Sequence, residues 1–137
     1  NAHCIFVDRD SPYSGFSAIK SIRKHLQLGR TVSVFPEGTT YEGDEVRPFS
    51  KGPFVSARNL KVEIIPVGLA YPSSLEYFEE RFVDHAKKIC HVPRFDVGVS
   101  IGQSQVIEGN VQEHIGSFQE QVQDLVHRAR ALMPPAS

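Results

Sequence analysis

The 137-residue chain has no tryptophan, one methionine and two cysteines, and its formal net charge at neutral pH is −1. Each scarcity excludes something. Cys4 and Cys90 are far apart and form no Cys-x-x-Cys, so they outline neither a disulfide framework nor a zinc site; they fit a reducing compartment. A charge balance this close to neutral leaves no overall basic footprint for nucleic acid. No apolar run approaches the roughly 18 residues that a membrane-spanning helix needs. The histidines do not cluster and form no His-Glu-x-x-His, which argues against a metal centre. Gly-x-Ser-x-Gly, a Walker loop and a dinucleotide fingerprint are all missing from the sequence, so the chemistries they support lack their residues. What is present is ordinary globular material. The chain is 40% hydrophobic and 23% charged, long enough for a core and not long enough to demand two domains.

The pattern along the chain alternates β and α. Residues 4–9 read as a short strand, followed by the turn Asp10-Ser11-Pro12. From Gly15 the period changes: Phe16, Ile19, Ile22 and Leu26 share a helical face, and Gly29 is placed to end the helix in the left-handed region. Residues 31–35 alternate polar and apolar with β-branched side chains and read as a second strand, which Pro36 and Gly38 terminate. A loop rich in glycine and charge covers 38–52, and 53–60 reads as a short helix with Pro53 in its first turn. Residues 62–71 are apolar nearly throughout, which predicts a strand covered on both faces.

Residues 75–88 read as a helix, and Val97, Val99 and Ile101 alternate with glycine and serine in a further strand. Asn110 with Glu113 gives a capping-box-like start to a long helix. Its apolar stripe runs Val111, Ile115, Phe118, Val122, Leu125, Ala129 and Leu132, a packing face whose polar side is too mixed for an anionic-lipid helix. Strands joined by helices predict an α/β fold with a mostly parallel sheet covered by helices.

Residues 34–40, Val-Phe-Pro-Glu-Gly-Thr-Thr, place a carboxylate, two hydroxyls and a tight turn at the end of the expected strand. Turns of this kind cradle anionic oxygens through N–H and O–H donors. The stretch resembles the Phe-Pro-Glu-Gly-Thr-Arg block of the glycerolipid acyltransferases, the family of 1-acylglycerol-3-phosphate acyltransferase. Phe6-Val7-Asp8-Arg9 resembles the block that precedes it in that family. Arg47-Pro48-Phe49-Ser50-Lys51-Gly52 resembles the Pro-Phe-x-x-Gly stretch that follows, and Val62-Glu63-Ile64-Ile65-Pro66-Val67 resembles the fourth block. These matches fall in the family's order over residues 4–71, and residues 72–137 carry no family motif.

The resemblance implies a glycerol-3-phosphate acyltransferase-like α/β fold, truncated at the N-terminus, with 1–137 as the C-terminal portion of a single acyltransferase-like domain. The family's Asn-His-x-x-x-x-Asp block, which holds the catalytic pair, has no counterpart here, so no catalytic residue is expected in the chain. His3 and Asp8 have the spacing of that pair. The four residues between them are a strand pattern, however, and five extended steps span roughly 16 Å, too far for Asp8 to orient the imidazole.

The expected substrate-binding residues are Arg9, Glu37, Gly38, Thr39, Thr40, Arg47 and Lys51. By resemblance, Arg9 holds the phosphate of the acceptor, as a guanidinium fork can; the plainer alternative is an ion pair with Asp8 or Asp10. Glu37 belongs to the acceptor pocket, or else caps the next turn or pairs with Arg47. Thr40 stands where the family's commonest pattern has Arg, and a hydroxyl brings neither charge nor fork. Arg47 or Lys51 would then contribute the cation from the same loop, unless the acceptor is less acidic or both are solvated. Gly52 is expected to serve a tight backbone approach and Pro66 to shape a strand edge or bulge. Arg9, Glu37 and Thr39 are expected to converge at one rim of the sheet, beyond the strand ends.

What the resemblance implies for the intact protein is acyl transfer from acyl-CoA or acyl carrier protein, as co-substrate, to a lysolipid hydroxyl, with no metal or other cofactor. The parent is expected to associate with the cytoplasmic face of a membrane through parts absent from this chain, while the fragment itself is soluble and inactive. Two other readings stay open: a non-catalytic lipid- or partner-binding module with the same fold, and a nucleotide- or phosphate-binding α/β domain.

Overall fold

The computed structural model describes residues 14–38, 43–72 and 94–134. In chain order these form α1 (Ser14–Gln27), α2 (Gly52–Leu60), β1 (Val67–Ala70), β2 (Gly98–Ile101) and α3 (Val111–Ala131). The expected strand at 4–9 and helix at 75–88 lie outside the described residues.

Local signals place the helices where the sequence predicts them. Gly29 adopts φ +71° beyond α1, and its N–H closes onto the Leu26 carbonyl at 2.9 Å. Pro53 sits in the first turn of α2, where its missing donor costs nothing, and Lys61 ends that helix in the left-handed region at φ 51°. At the start of α3 the Asn110 side chain accepts from the Gln112 N–H at 3.0 Å and donates to Glu113 at 3.1 Å. That satisfies one orphan amide of the first turn, and Glu113 complements the helix dipole.

The sheet differs from the expectation. Among the described residues it has two strands, and they are antiparallel, with Val67 opposite Ile101 and Ala70 opposite Gly98. A mostly parallel sheet is not what these residues form. Residues 31–35 are not a strand: their composition suits a pleated surface, but no described segment gives them a ladder partner. The run 62–71 is strand only over β1, with an isolated antiparallel bridge between Ile64 and Gln105. Between bridge and ladder, two residues on one side oppose three on the other. This is a bulge, with buried Pro66 at it accepting from the Gly102 N–H at 2.9 Å. Nor is 62–71 covered on both faces, since exposure alternates along β1.

The core lies where α2 and α3 meet. Phe54, Ile107, Val111, Ile115 and Phe118 are buried together, with Phe49, Val55 and Ile64 against them. Phe54 bridges two rings, 6.0 Å from Phe49 in a stacked arrangement and 5.6 Å from Phe118 in a tilted one. The α3 stripe is buried at Val111, Ile115, Phe118, Leu125 and Ala129, and Leu132 alone of it stands out in solvent. Helix α1 packs on α2, where Ile19 fills the space a Cβ on Gly52 would need. Gly52 is therefore closely approached, though by the Ile19 side chain and not by backbone. Phe16, expected on the packing face of α1, is exposed.

Candidate functional site

Residues 36–38 and 43–50 are irregular, and the two ends of this stretch are tied together. The Ser50 N–H donates to the Pro36 carbonyl at 2.8 Å, and within that closure the Arg47 N–H donates to Glu37 Oε2 at 2.8 Å. Glu37 is half-buried; Gly38 follows it at φ +73°, with its N–H turned back to the Phe35 carbonyl at 3.2 Å. A Cβ at Gly38 would meet nothing, so the sign of φ, not space, is what favours glycine there. Among the described residues Glu37 Oε1 has no hydrogen-bond partner, which leaves one carboxylate oxygen to accept from an incoming hydroxyl.

The far side of the loop is fastened to α3. Arg130 forks onto Asp44, with Nε to Oδ2 at 2.7 Å and Nη2 to Oδ1 at 2.6 Å, and its Nη1 donates to the Tyr71 carbonyl at 2.7 Å. Two turns earlier on the same helical face, Gln123 donates to the Asp44 carbonyl at 2.8 Å and accepts from the Val46 N–H at 2.8 Å. Gln123 Nε2 also lies 3.0 Å from His127 Nε2. The hydrogen bond from Arg130 holds the Asp44 carboxyl below its ordinary range; partial burial opposes this, and the positive charges of Arg130 and His127 add to it. Phe49 anchors the last part of the loop in the core, so this residue of the Pro-Phe block is a packing residue.

The sequence-predicted residues divide as follows. Glu37, Gly38, Arg47 and Lys51 belong to this one loop and its exit into α2. Glu37 reaches Arg47 through the backbone amide, while the Arg47 guanidinium lies 3.8 Å from Glu45 in a largely exposed pair of the kind that contributes little. Lys51 is exposed at the N-terminal boundary of α2 and caps nothing with its side chain. Arg9, Thr39 and Thr40 lie outside the described residues, and with them the expected convergence at a sheet rim. So do His3 and Asp8. Glu37 itself follows an irregular segment rather than a strand end.

Sequence reasoning missed Asp44, Gln123 and Arg130. The only signal was that Gln123 and Arg130 lie off the apolar stripe of α3; a partner 86 residues away leaves no local trace. A groove of about 590 Å³ runs beside this joint, lined by Val46, Gly116, Gln119, Glu120, Gln123 and Asp124. Its polar and acidic walls do not suit an acyl chain, which needs an apolar lining. Among the described residues no group of His, Cys, Asp or Glu could hold a metal, and no helix is long and apolar enough to cross a membrane.

The family model described as Acyltransferase matches residues 1–70, which include the Glu37 turn and the Arg47–Gly52 stretch. The chain is similar to the 1-acyl-sn-glycerol-3-phosphate acyltransferase of Borreliella burgdorferi, 38% identical over 65 residues that cover 47% of this chain and 26% of that protein. It is also similar to the probable 1-acyl-sn-glycerol-3-phosphate acyltransferase of Mycoplasma genitalium, 26% identical over 85 residues that cover 62% of this chain and 32% of that protein. The chain thus spans a third or less of either relative. No solved structure matches it.

Proposed function

Because the chain belongs to the acyltransferase family, we propose that it carries the acceptor-holding part of an enzyme that moves an acyl group onto a lysolipid hydroxyl. The observation that carries this reading is the Glu37 turn: one carboxylate oxygen is fixed by the Arg47 amide, and the other has no partner among the described residues. Both curated relatives are named for acylation of 1-acyl-sn-glycerol 3-phosphate, and that phosphate-bearing lysolipid is the acceptor proposed here. Arg9, Gly38, Thr39, Thr40, Arg47 and Lys51 surround it in this reading, with Arg9 on the phosphate and Arg47 or Lys51 making good the guanidinium that Thr40 lacks. The acyl donor is a thioester of coenzyme A or acyl carrier protein, and no further cofactor takes part.

In the proposed reaction a histidine outside this chain takes the proton of the acceptor hydroxyl as its oxygen attacks the thioester carbonyl. The carbon–sulfur bond then breaks and the thiolate leaves, taking up the proton. This chain contributes placement, which can lower a barrier by several kcal/mol without touching a proton. The whole enzyme works at the cytoplasmic face of a membrane, and the chain alone does not turn over. A mostly parallel sheet remains the proposed architecture of the whole domain, with β1 and β2 as an antiparallel part of it.

Titrating the chain with monomeric 1-acyl-sn-glycerol 3-phosphate should shift the amide resonances of Glu37, Gly38 and Arg47, and Glu37→Ala should weaken binding. Shifts confined to other surfaces would refute the acceptor site. Turnover by the chain alone, abolished in His3→Ala, would refute its assignment as the non-catalytic part.

A further inference from the structure

The family match ends at residue 70, yet the loop that carries Glu37 is held by α3, far beyond it. We propose that Arg130 and Gln123 of α3 are positioning residues for the acceptor site, acting through Asp44 and the Val46–Arg47 amides to aim the Glu37 carboxylate. Two consecutive amides make the joint. The Val46 N–H is given to Gln123 at 2.8 Å, and the next N–H, that of Arg47, is given to Glu37 at 2.8 Å.

The helix therefore holds the Glu45–Val46 peptide, the one immediately before the peptide on which the carboxylate rests. Arg130 sets the other coordinate: its planar fork accepts only one orientation of Asp44, and its third nitrogen ties the same guanidinium to the Tyr71 carbonyl beyond β1. With one Glu37 oxygen immobilised in this way, the direction of the other is set by α3 rather than by the turn itself. The acceptor hydroxyl then meets a preorganised oxygen instead of a swinging side chain. Lysine at position 130 would keep the charge and lose the fork, so the proposal separates geometry from electrostatics.

The role of the joint in acceptor binding rests on the reading proposed above; its geometric part does not. Amide hydrogen exchange on the full chain tests the geometry first. In Gln123→Ala and Arg130→Lys the Arg47 amide should exchange about tenfold faster or more, as expected when a local hydrogen bond opens more often. The amides of Leu125 and Val126 inside α3 should keep their rates, showing that the fold survives. Unchanged Arg47 exchange in both variants overturns the proposal.

Binding of 1-acyl-sn-glycerol 3-phosphate tests the function. Arg130→Lys should weaken it about fivefold or more in the wild-type background, and not at all when Glu37 is already glutamine, the non-additivity expected of residues that act as a unit. Equal losses in both backgrounds overturn the positioning role. If the wild-type chain binds no lysolipid, the acceptor reading fails and the exchange rates alone decide whether α3 positions Glu37.

Discussion

The two faces of the β1–β2 ribbon are built from opposite materials. Toward α3 it presents Gly68, Ala70 and Gly98, all buried. Away from it stand Val67, Val99 and Ile101, exposed to 40%, 46% and 68% of their surface. Side-chain size alone would assign the faces the other way round. What decides is how closely the helix approaches: a Cβ built at Gly68 would fall inside the backbone of Leu125 and Val126, and one at Gly98 inside the Ala129 carbonyl. Burial here is gained by backbone meeting backbone, and the absence of side chains is what permits it.

The comparison can be broken most severely from within the packed side. Phe118 is nearly inaccessible and lies against Phe54, so Phe118→Ala should destabilise the chain by about 3–5 kcal/mol in denaturant unfolding. Gly68→Ala adds a single methyl to the helix-facing side and should still cost about 2–3 kcal/mol, the upper part of the overpacking range, because the obstacle is backbone and cannot rotate away.

The polar fastening at the edge of α3 is weaker. Asp44 and Arg130 are both about a third exposed, so solvent screening should reduce the pair to about 1 kcal/mol. The Asp44 carboxyl is held below its ordinary value of 3.8, so its contribution is complete above that value and lost as the pH falls through the lower, folded-state value. The stability advantage of wild type over Asp44→Asn should therefore be constant near neutrality and shrink only below about pH 4. An advantage that faded already between pH 6 and 8 would show that the Asp44 carboxylate is not its source. On the outer face of the ribbon, Val99→Thr and Ile101→Thr should each change stability by less than about 0.5 kcal/mol. A loss above 1 kcal/mol at either position would show that the outer face is also covered.

Helix limits were legible in the sequence because their signals are local: Gly29, Pro53 and the Asn110–Glu113 pair each act within a turn of where they stand. The Glu37 turn was legible for the same reason, through Pro36 and Gly38. Strand pairing was not. The residues 31–35 have the right composition for a strand, but a ladder is made by its partner. The alternation of Val97, Val99 and Ile101 with glycine and serine was legible as period two, whereas which face turned inward depended on a helix beginning at residue 111. The fastening of Asp44 to Arg130 left no sign of its partner in the sequence, since two charges 86 residues apart are joined only by the completed fold.

The glycine contact also governs how the molecule can deform. Packed helices and sheets slide over one another because a layer of side chains between them can change rotamer and absorb the displacement. Between α3 and the ribbon at Gly68 and Gly98 that layer is missing. Shear there has no compliant medium, so helix and ribbon must travel as one rigid body. Any opening of the Glu37 loop has to be a hinge within the loop, and α3 is the fixed frame against which it swings.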